Sequence, residues 1–165
     1  MCCLFDSDCV RLFVELFHAN FRKSQTGSRI VATSAPIYFA DTGHFYAISE
    51  QTVDFDAALN SVANTFASVN LRAHLASVTS EAELTFLVNS LGARESWIGA
   101  ADYFTEGEFI WVDGAELGSA VSQTGGLWDS TEPNDANSNE DCTQINGNGK
   151  VNDFDCTKLC FFVIE

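Results

Sequence analysis

With 165 residues, 46% hydrophobic composition and 14 phenylalanines, the chain is long enough to bury the core of one domain and too apolar for a disordered chain. Eight basic against 23 acidic residues give a net charge of −15, which excludes a nucleic-acid partner gripped by clustered Lys and Arg and disfavours anionic lipid surfaces. No apolar run approaches the roughly 18–20 residues of a membrane span, and the six cysteines, none in a CxxC zinc spacing, lean towards an oxidising, extracellular compartment.

Residues 1–36 read as an N-terminal segment and linker. Val10 to Phe17 is apolar but interrupted by Arg11 and Glu15, with no basic residue before it. That is a poor match to a secretory leader, which has a positive start and an unbroken apolar stretch. An amphipathic helix followed by a Ser/Thr/Gly-rich linker from Ser24 to Ser34, or an incompletely defined gene start, accounts for it equally.

A domain is predicted over 37–165. Ile37–Phe39 and Phe45–Ile48 read as short strands around the turn Asp41-Thr42-Gly43. Asp54 is placed to cap a helix whose apolar positions Ala58, Leu59, Val62, Ala63 and Phe66 recur at helical spacing. Ser80-Glu81-Ala82-Glu83 is a capping-box pattern opening a second helix, with Phe86, Leu87 and Leu91 on one face and Gly92 as its stop. Beyond Gly92 come short strand-like runs: Trp97-Ile98-Gly99, Phe109–Val112, Cys142–Ile145 and Cys160–Ile164. Two helices followed by loop-rich strands predict an α+β domain with a largely antiparallel sheet. Trp97, Trp111 and Trp128, set among apolar residues, are expected in the core, and His18, His44 and His74, scattered along the chain, in structural or surface positions.

The stretch from Asp102 to Asp155 holds twelve of the 23 acidic residues and a single basic one, Lys150. Asp113 to Asp141 carries little strand or helix signal, and so long a connection is usually functional or disordered. Its oxygen-bearing side chains cluster as Glu132-Pro133-Asn134-Asp135, Asn139-Glu140-Asp141 and, after a short turn, Asn152-Asp153. Carboxylates mixed with Asn amides suit a hard cation such as calcium, which takes roughly 6–8 oxygen ligands. An EF-hand starting at Asp135 fails, because Glu140 stands where the loop needs Gly and Asn146 where it needs Glu. No GxSxG or phosphate-binding loop is present, and the chain is not expected to be an enzyme.

These residues, with His74-Leu75-Ala76-Ser77, Trp97-Ile98-Gly99, Trp111-Val112-Asp113-Gly114, Trp128 and Cys142 and Cys156, resemble the C-type lectin-like domain from about Gly43 to Glu165. The resemblance implies two helices, small antiparallel sheets and a long calcium-binding loop. It implies a principal calcium and sugar site at Glu132, Asn134, Glu140, Asn152 and Asp153, and a second, structural calcium site at Asp102, Glu106, Asp135 and Asp141. It also implies a cis bond at Glu132-Pro133 and a disulfide between Cys142 and Cys156. A vicinal diol would complete the calcium shell while the ligating side chains take its hydrogen bonds, and the EPN form is associated with mannose-type sugars. Binding would then require calcium and be lost in acid as the carboxylates protonate.

The sequence departs from the family pattern at four positions. Val62 and Ile164 stand where members usually bridge two cysteines, as in bacterial and algal variants, and Val151 replaces the tryptophan of the WND motif. Cys160 is added, either buried and free or paired with Cys2, Cys3 or Cys9. The chain would bind carbohydrate or glycoconjugate in recognition or adhesion, as a secreted or cell-surface protein, as part of a larger protein or in an oligomer. The rival is a domain of the same fold that binds a protein, or ice.

Overall fold

In the computed structural model, residues 33–66, 73–112 and 118–165 are described. The predicted helix at Val10–Phe17, most of the linker, Cys2, Cys3, Cys9, His18, Asp113 and Gly114 lie outside them. Strand β1 (Ile37–Phe39) turns through Gly43, at φ 77°, into β2 (His44–Ile48). Helix α1 (Phe55–Phe66) starts where the Asp54 carboxylate accepts the Ala57 N–H at 2.7 Å, the cap that the sequence predicts. Helix α2 (Glu81–Phe86) opens on Ser80, whose hydroxyl accepts the Glu83 N–H at 3.1 Å. It then widens into a π-helical turn over Leu87–Leu91 that Gly92 ends at φ 68°.

The strands β3 (Ser96–Ala101), β4 (Ile110–Trp111), β5 (Cys142–Ile145), β6 (Val151–Phe154) and β7 (Phe161–Ile164) complete the sheet. Its order is β1-β2-β7-β3-β5-β6, with β4 along the end of β3. Pairing is antiparallel except between β3 and β7, so the domain is α+β with a mostly antiparallel sheet. Thr33 and Ser34 already pair with Ser49 and Ile48.

Successive side chains of a strand point to opposite faces, and here both faces are covered. On one, Phe55, Ala58 and Val62 of α1 pack with Leu75, Trp97, Phe162 and Ile164. On the other, Leu84 and Leu87 pack with Tyr46, Ile98, Trp111, Ile145 and Val163. This double cover leaves every residue of β3 buried. Val62 and Ile164 share one cluster, so packing stands where a bridge would be. Trp97 and Trp111 are core residues as expected, and Trp128, half-buried, packs edge-on against Phe109.

Glu83 departs from its capping-box role. Its carboxylate is buried, accepting from the Tyr46 hydroxyl at 2.7 Å and from the Thr79 N–H at 2.8 Å. Cys160 is buried and free, and burial pushes its thiol up to about 11. His44 and His74 both face the Glu165 carboxylate. Among the described residues no helix is long and apolar enough to cross a membrane.

A candidate cation and ligand centre

Two arms of chain meet at the centre. The first leaves the core at Leu127, runs beside β6 through the Trp128–Val151 bridge, and turns at Asp129, whose carbonyl accepts the Glu132 N–H at 3.1 Å. The Glu132–Pro133 bond that follows is cis. Asp135, Asn137 and Ser138 then adopt the left-handed region, at φ 44°, 62° and 53°, which Asn and Asp enter more readily than other side chains. The second arm is the β5–β6 hairpin, which delivers Asn152 and Asp153. Cys142 on β5 and Cys156 just past β6 are joined by a disulfide, holding the base of the second arm closed.

Asp153 is where the arms touch. It is fully buried, and its Oδ2 accepts the backbone N–H groups of Asn134 at 2.9 Å and Asp135 at 2.7 Å. Its other oxygen, Oδ1, is buried with no donor. A bare carboxylate oxygen out of water is costly, and here it faces more negative charge. Loss of solvent raises the Glu132 carboxyl above its ordinary range, and a contact with Asp153 and the charges of Asp153 and Glu140 raise it further. Glu140 is raised by loss of solvent and by Asp153, Asp135 and Asp155, although its Oε2 accepts the Ala136 N–H at 2.9 Å. Asn134 donates its amide to Glu132, and Asn152 donates to the Asp153 carbonyl.

A second set forms at the end of β3. The Asp102 N–H donates to the Asp141 carbonyl at 3.2 Å, and Asp102 Oδ2 accepts the Gly107 N–H at 2.8 Å. Asp102 Oδ1 is the same kind of orphan as Asp153 Oδ1. Burial raises the Asp102 carboxyl, and Asp141 adds to the rise. Glu106, though exposed, is raised by local loss of solvent and by Asp102, Asp135 and Asp141. The fold brings Glu132, Asn134, Asp135, Glu140 and Asp153 near one another, and Asp102, Glu106 and Asp141 beside them, while Asn152 turns its amide to the Asp153 carbonyl.

No described cation neutralises either group. Arg94 donates to the Gly147 carbonyl, Lys150 to Glu81 and the Gly126 carbonyl, and Lys158 to Asp155. Nor, among the described residues, do three His, Cys, Asp or Glu side chains stand together so as to hold a metal ion. The donors instead turn onto one another and onto backbone N–H groups. A hard divalent ion fits this chemistry, since two orphaned carboxylate oxygens and unpaired negative charge are what it would satisfy.

Sequence reasoning passed over Asp129, Asn146 and Asn148, which tie the arms together below the acidic side chains. Asp129 Oδ2 accepts the side-chain amides of Asn146 at 2.8 Å and Asn148 at 2.9 Å. No periodicity or spacing marks such a contact.

The shifts predict an inverted pH response without metal. A carboxyl raised by the fold binds more protons folded than unfolded between its two pKa values, so stability falls as pH rises through that window. Glu83, Asp102, Glu106, Glu132 and Glu140 are raised, while Asp129 and Asp155 are lowered by their hydrogen bonds. In chelator, the melting temperature is expected to rise as pH falls from neutral to about 5, just above the ordinary carboxylate range. Melting lower at the acid end would contradict the clustering.

The family model of the lectin C-type domain matches residues 63–163. The low affinity immunoglobulin epsilon Fc receptor of Mus musculus is 37% identical over 91 residues, covering 55% of this chain and 26% of the receptor. The hepatic lectin of Gallus gallus is 35% identical over 95 residues, covering 58% of this chain and 44% of the lectin. This chain therefore spans under half the length of either relative. Among solved structures, the cow CD23 carbohydrate-recognition domain, in the presence of a GlcNAc2Man3 oligosaccharide, is 31% identical with a TM-score of 0.63, covering 83% of this chain and 97% of that one. The C-type lectin CEL-I of Cucumaria echinata is 28% identical with a TM-score of 0.61, covering 73% and 87%.

Proposed function

The chain belongs to the C-type lectin domain family, and from that premise we propose that it binds carbohydrate in a calcium-dependent manner through Glu132, Asn134, Glu140, Asn152 and Asp153. The observation that carries the reading is the Asp153 carboxylate, fully buried, with one oxygen lacking any donor and the carboxylates of Glu132 and Glu140 beside it. Three carboxylates and two amides, turned inward together, would suit a divalent ion. Calcium would supply open coordination positions for a sugar's vicinal hydroxyls. The Glu132 and Glu140 carboxylates then accept hydrogen bonds from those hydroxyls, and the Asn134 and Asn152 amides donate them.

Asp102, Glu106, Asp135 and Asp141 would hold a second calcium and fix the loop between the arms. The Glu-Pro-Asn order favours mannose-type sugars, in keeping with the mannose-containing oligosaccharide present with the cow CD23 domain. The domain runs from 37 to 165, and its function is non-enzymatic recognition outside the cell. One shallow site on two hydroxyls gives affinity on the order of millimolar, so useful binding needs several copies, in an oligomer or a larger protein. The second reading is a protein ligand, favoured by the likeness to an immunoglobulin epsilon Fc receptor.

The test is retention on immobilised mannose with calcium, with chelator, and after Glu132→Gln with Asn134→Asp. Retention is expected to vanish in chelator and to shift towards galactose in the double variant. No retention despite calcium-dependent stabilisation would leave the cation sites and move the ligand to protein. No calcium effect on melting would overturn the cation assignment itself.

A further inference from the structure

We propose that Asp129 is a positioning residue that clasps the two arms of the centre together before any cation arrives; the inference rests on the reading of the centre given above. Asp129 touches both arms by five hydrogen bonds. Its Oδ2 takes the side-chain amides of Asn146 and Asn148 in the β5–β6 turn, at 2.8 and 2.9 Å. Its Oδ1 takes the Ser130 N–H at 2.8 Å, its N–H donates to the Val151 carbonyl at 2.9 Å, and its own carbonyl takes the Glu132 N–H at 3.1 Å.

The far side of the clasp is itself rigid. Asn146 Oδ1 accepts the N–H groups of Asn148 at 2.9 Å and Lys150 at 3.1 Å, and the Asn146 N–H reaches the Lys150 carbonyl at 2.8 Å. Lys150 then spans to the Gly126 carbonyl at 2.6 Å and Glu81 at 3.1 Å, closing the base of the first arm.

The clasp matters because of the charge it holds against. Glu132 and Glu140 come from one arm and Asp153 from the other, and without a cation they repel. Were the arms free, that repulsion would open the centre, and each binding event would have to order the loop again. Outer-shell partners that orient ligands typically change metal affinity by 10–100-fold. Asp129 is expected to act at the lower end of that range, because the Asn134 and Asp135 N–H bonds to Asp153 join the same arms.

The test measures calcium affinity and, in chelator, amide hydrogen exchange of residues 131–135 and 151–153. Asp129→Ala is expected to weaken calcium binding about tenfold and to speed that exchange, with a modest fall in the chelated melting temperature from the three lost side-chain bonds. Asp129→Asn, whose Oδ1 still serves both amides, is expected to recover most of the loss. Asn148→Ala, which removes one exposed bond, serves if Asp129→Ala does not fold, and is expected to weaken binding about threefold. Calcium affinity and exchange equal to the parent's would overturn the clasp, as would a lower melting temperature with unchanged calcium affinity. If the parent binds no calcium, the proposed function falls, and the exchange measurement in chelator still decides the clasp.

Discussion

Asp153→Asn is expected to remove most of the calcium-dependent stabilisation and sugar retention while leaving the metal-free domain at least as stable as the parent. The amide has the shape of the carboxylate, and its Oδ1 can take over both N–H bonds from Asn134 and Asp135. Its NH2 group then occupies the place of the orphaned oxygen and faces Glu132 as a donor. A buried charge without a donor disappears, and with it the repulsion towards Glu132 and Glu140. For a cation the change is the reverse, since it loses a full negative ligand at the centre of the set. An affinity loss of about 100-fold, at the top of the range seen for changes around metal sites, is expected. At calcium near 100 times the parent's dissociation constant, binding stabilises the parent by about 2.7 kcal/mol, and that increment should fall to about 0.4 kcal/mol. Calorimetry with calcium and with chelator reads both effects. A variant that calcium stabilises as much as the parent would remove Asp153 from the ligand set, and one that fails in chelator would make its carboxylate structural.

Gly99→Ala is expected to damage the whole domain. Gly99 lies in β3 with an ordinary extended backbone, so the need for glycine is one of space. A Cβ there would stand 2.7 Å from the Leu75 carbonyl oxygen and 3.1 Å from the Leu75 Cβ. Neither neighbour can swing aside, because the Gly99 N–H donates to Ala76 at 2.9 Å and its carbonyl accepts from Val112 at 2.8 Å. Overpacking of this kind costs about 2–3 kcal/mol, which lowers the melting temperature of a domain this size by about 8 °C. Gly147→Ala, with nothing within 4 Å of its added Cβ, is the neutral control. A Gly99→Ala variant that melts with the parent would mean that β3 and the Leu75 segment separate freely.

Both variants bear on what could be read without the structure. Helix boundaries were legible because caps and stops act within four residues, as Asp54, Ser80 and Gly92 do. The acidic and amide residues proposed as ligands stood out as a group through their spacing and the family resemblance. Strand β6 was not, because Val151-Asn152-Asp153-Phe154 puts two polar residues in its middle, where local pattern argues against a strand. The burial of Glu83, the reason for Gly99 and the clasp at Asp129 were equally hidden. Each depends on a partner far along the chain: Tyr46, Leu75 and the Asn146–Asn148 turn. The π-helical turn after α2 has no local signature in its five residues, Leu87–Leu91.

The placement of β2 between β1 and β7 has an architectural consequence. Ile37, which opens β1, lies opposite Tyr46, and the next residue, Ala47, lies opposite Ile164 near the end of β7. Neighbouring strands are about 4.8 Å apart, so the polypeptide enters and leaves the sheet at points about 10 Å from each other. A host protein could therefore accommodate the unit as an insert in a single surface loop, without stretching or rearranging its own framework. The same geometry permits Ile37 and Glu165 to be joined by a short linker and new ends opened elsewhere, a circular permutation of the sheet that would keep the strand pairings intact.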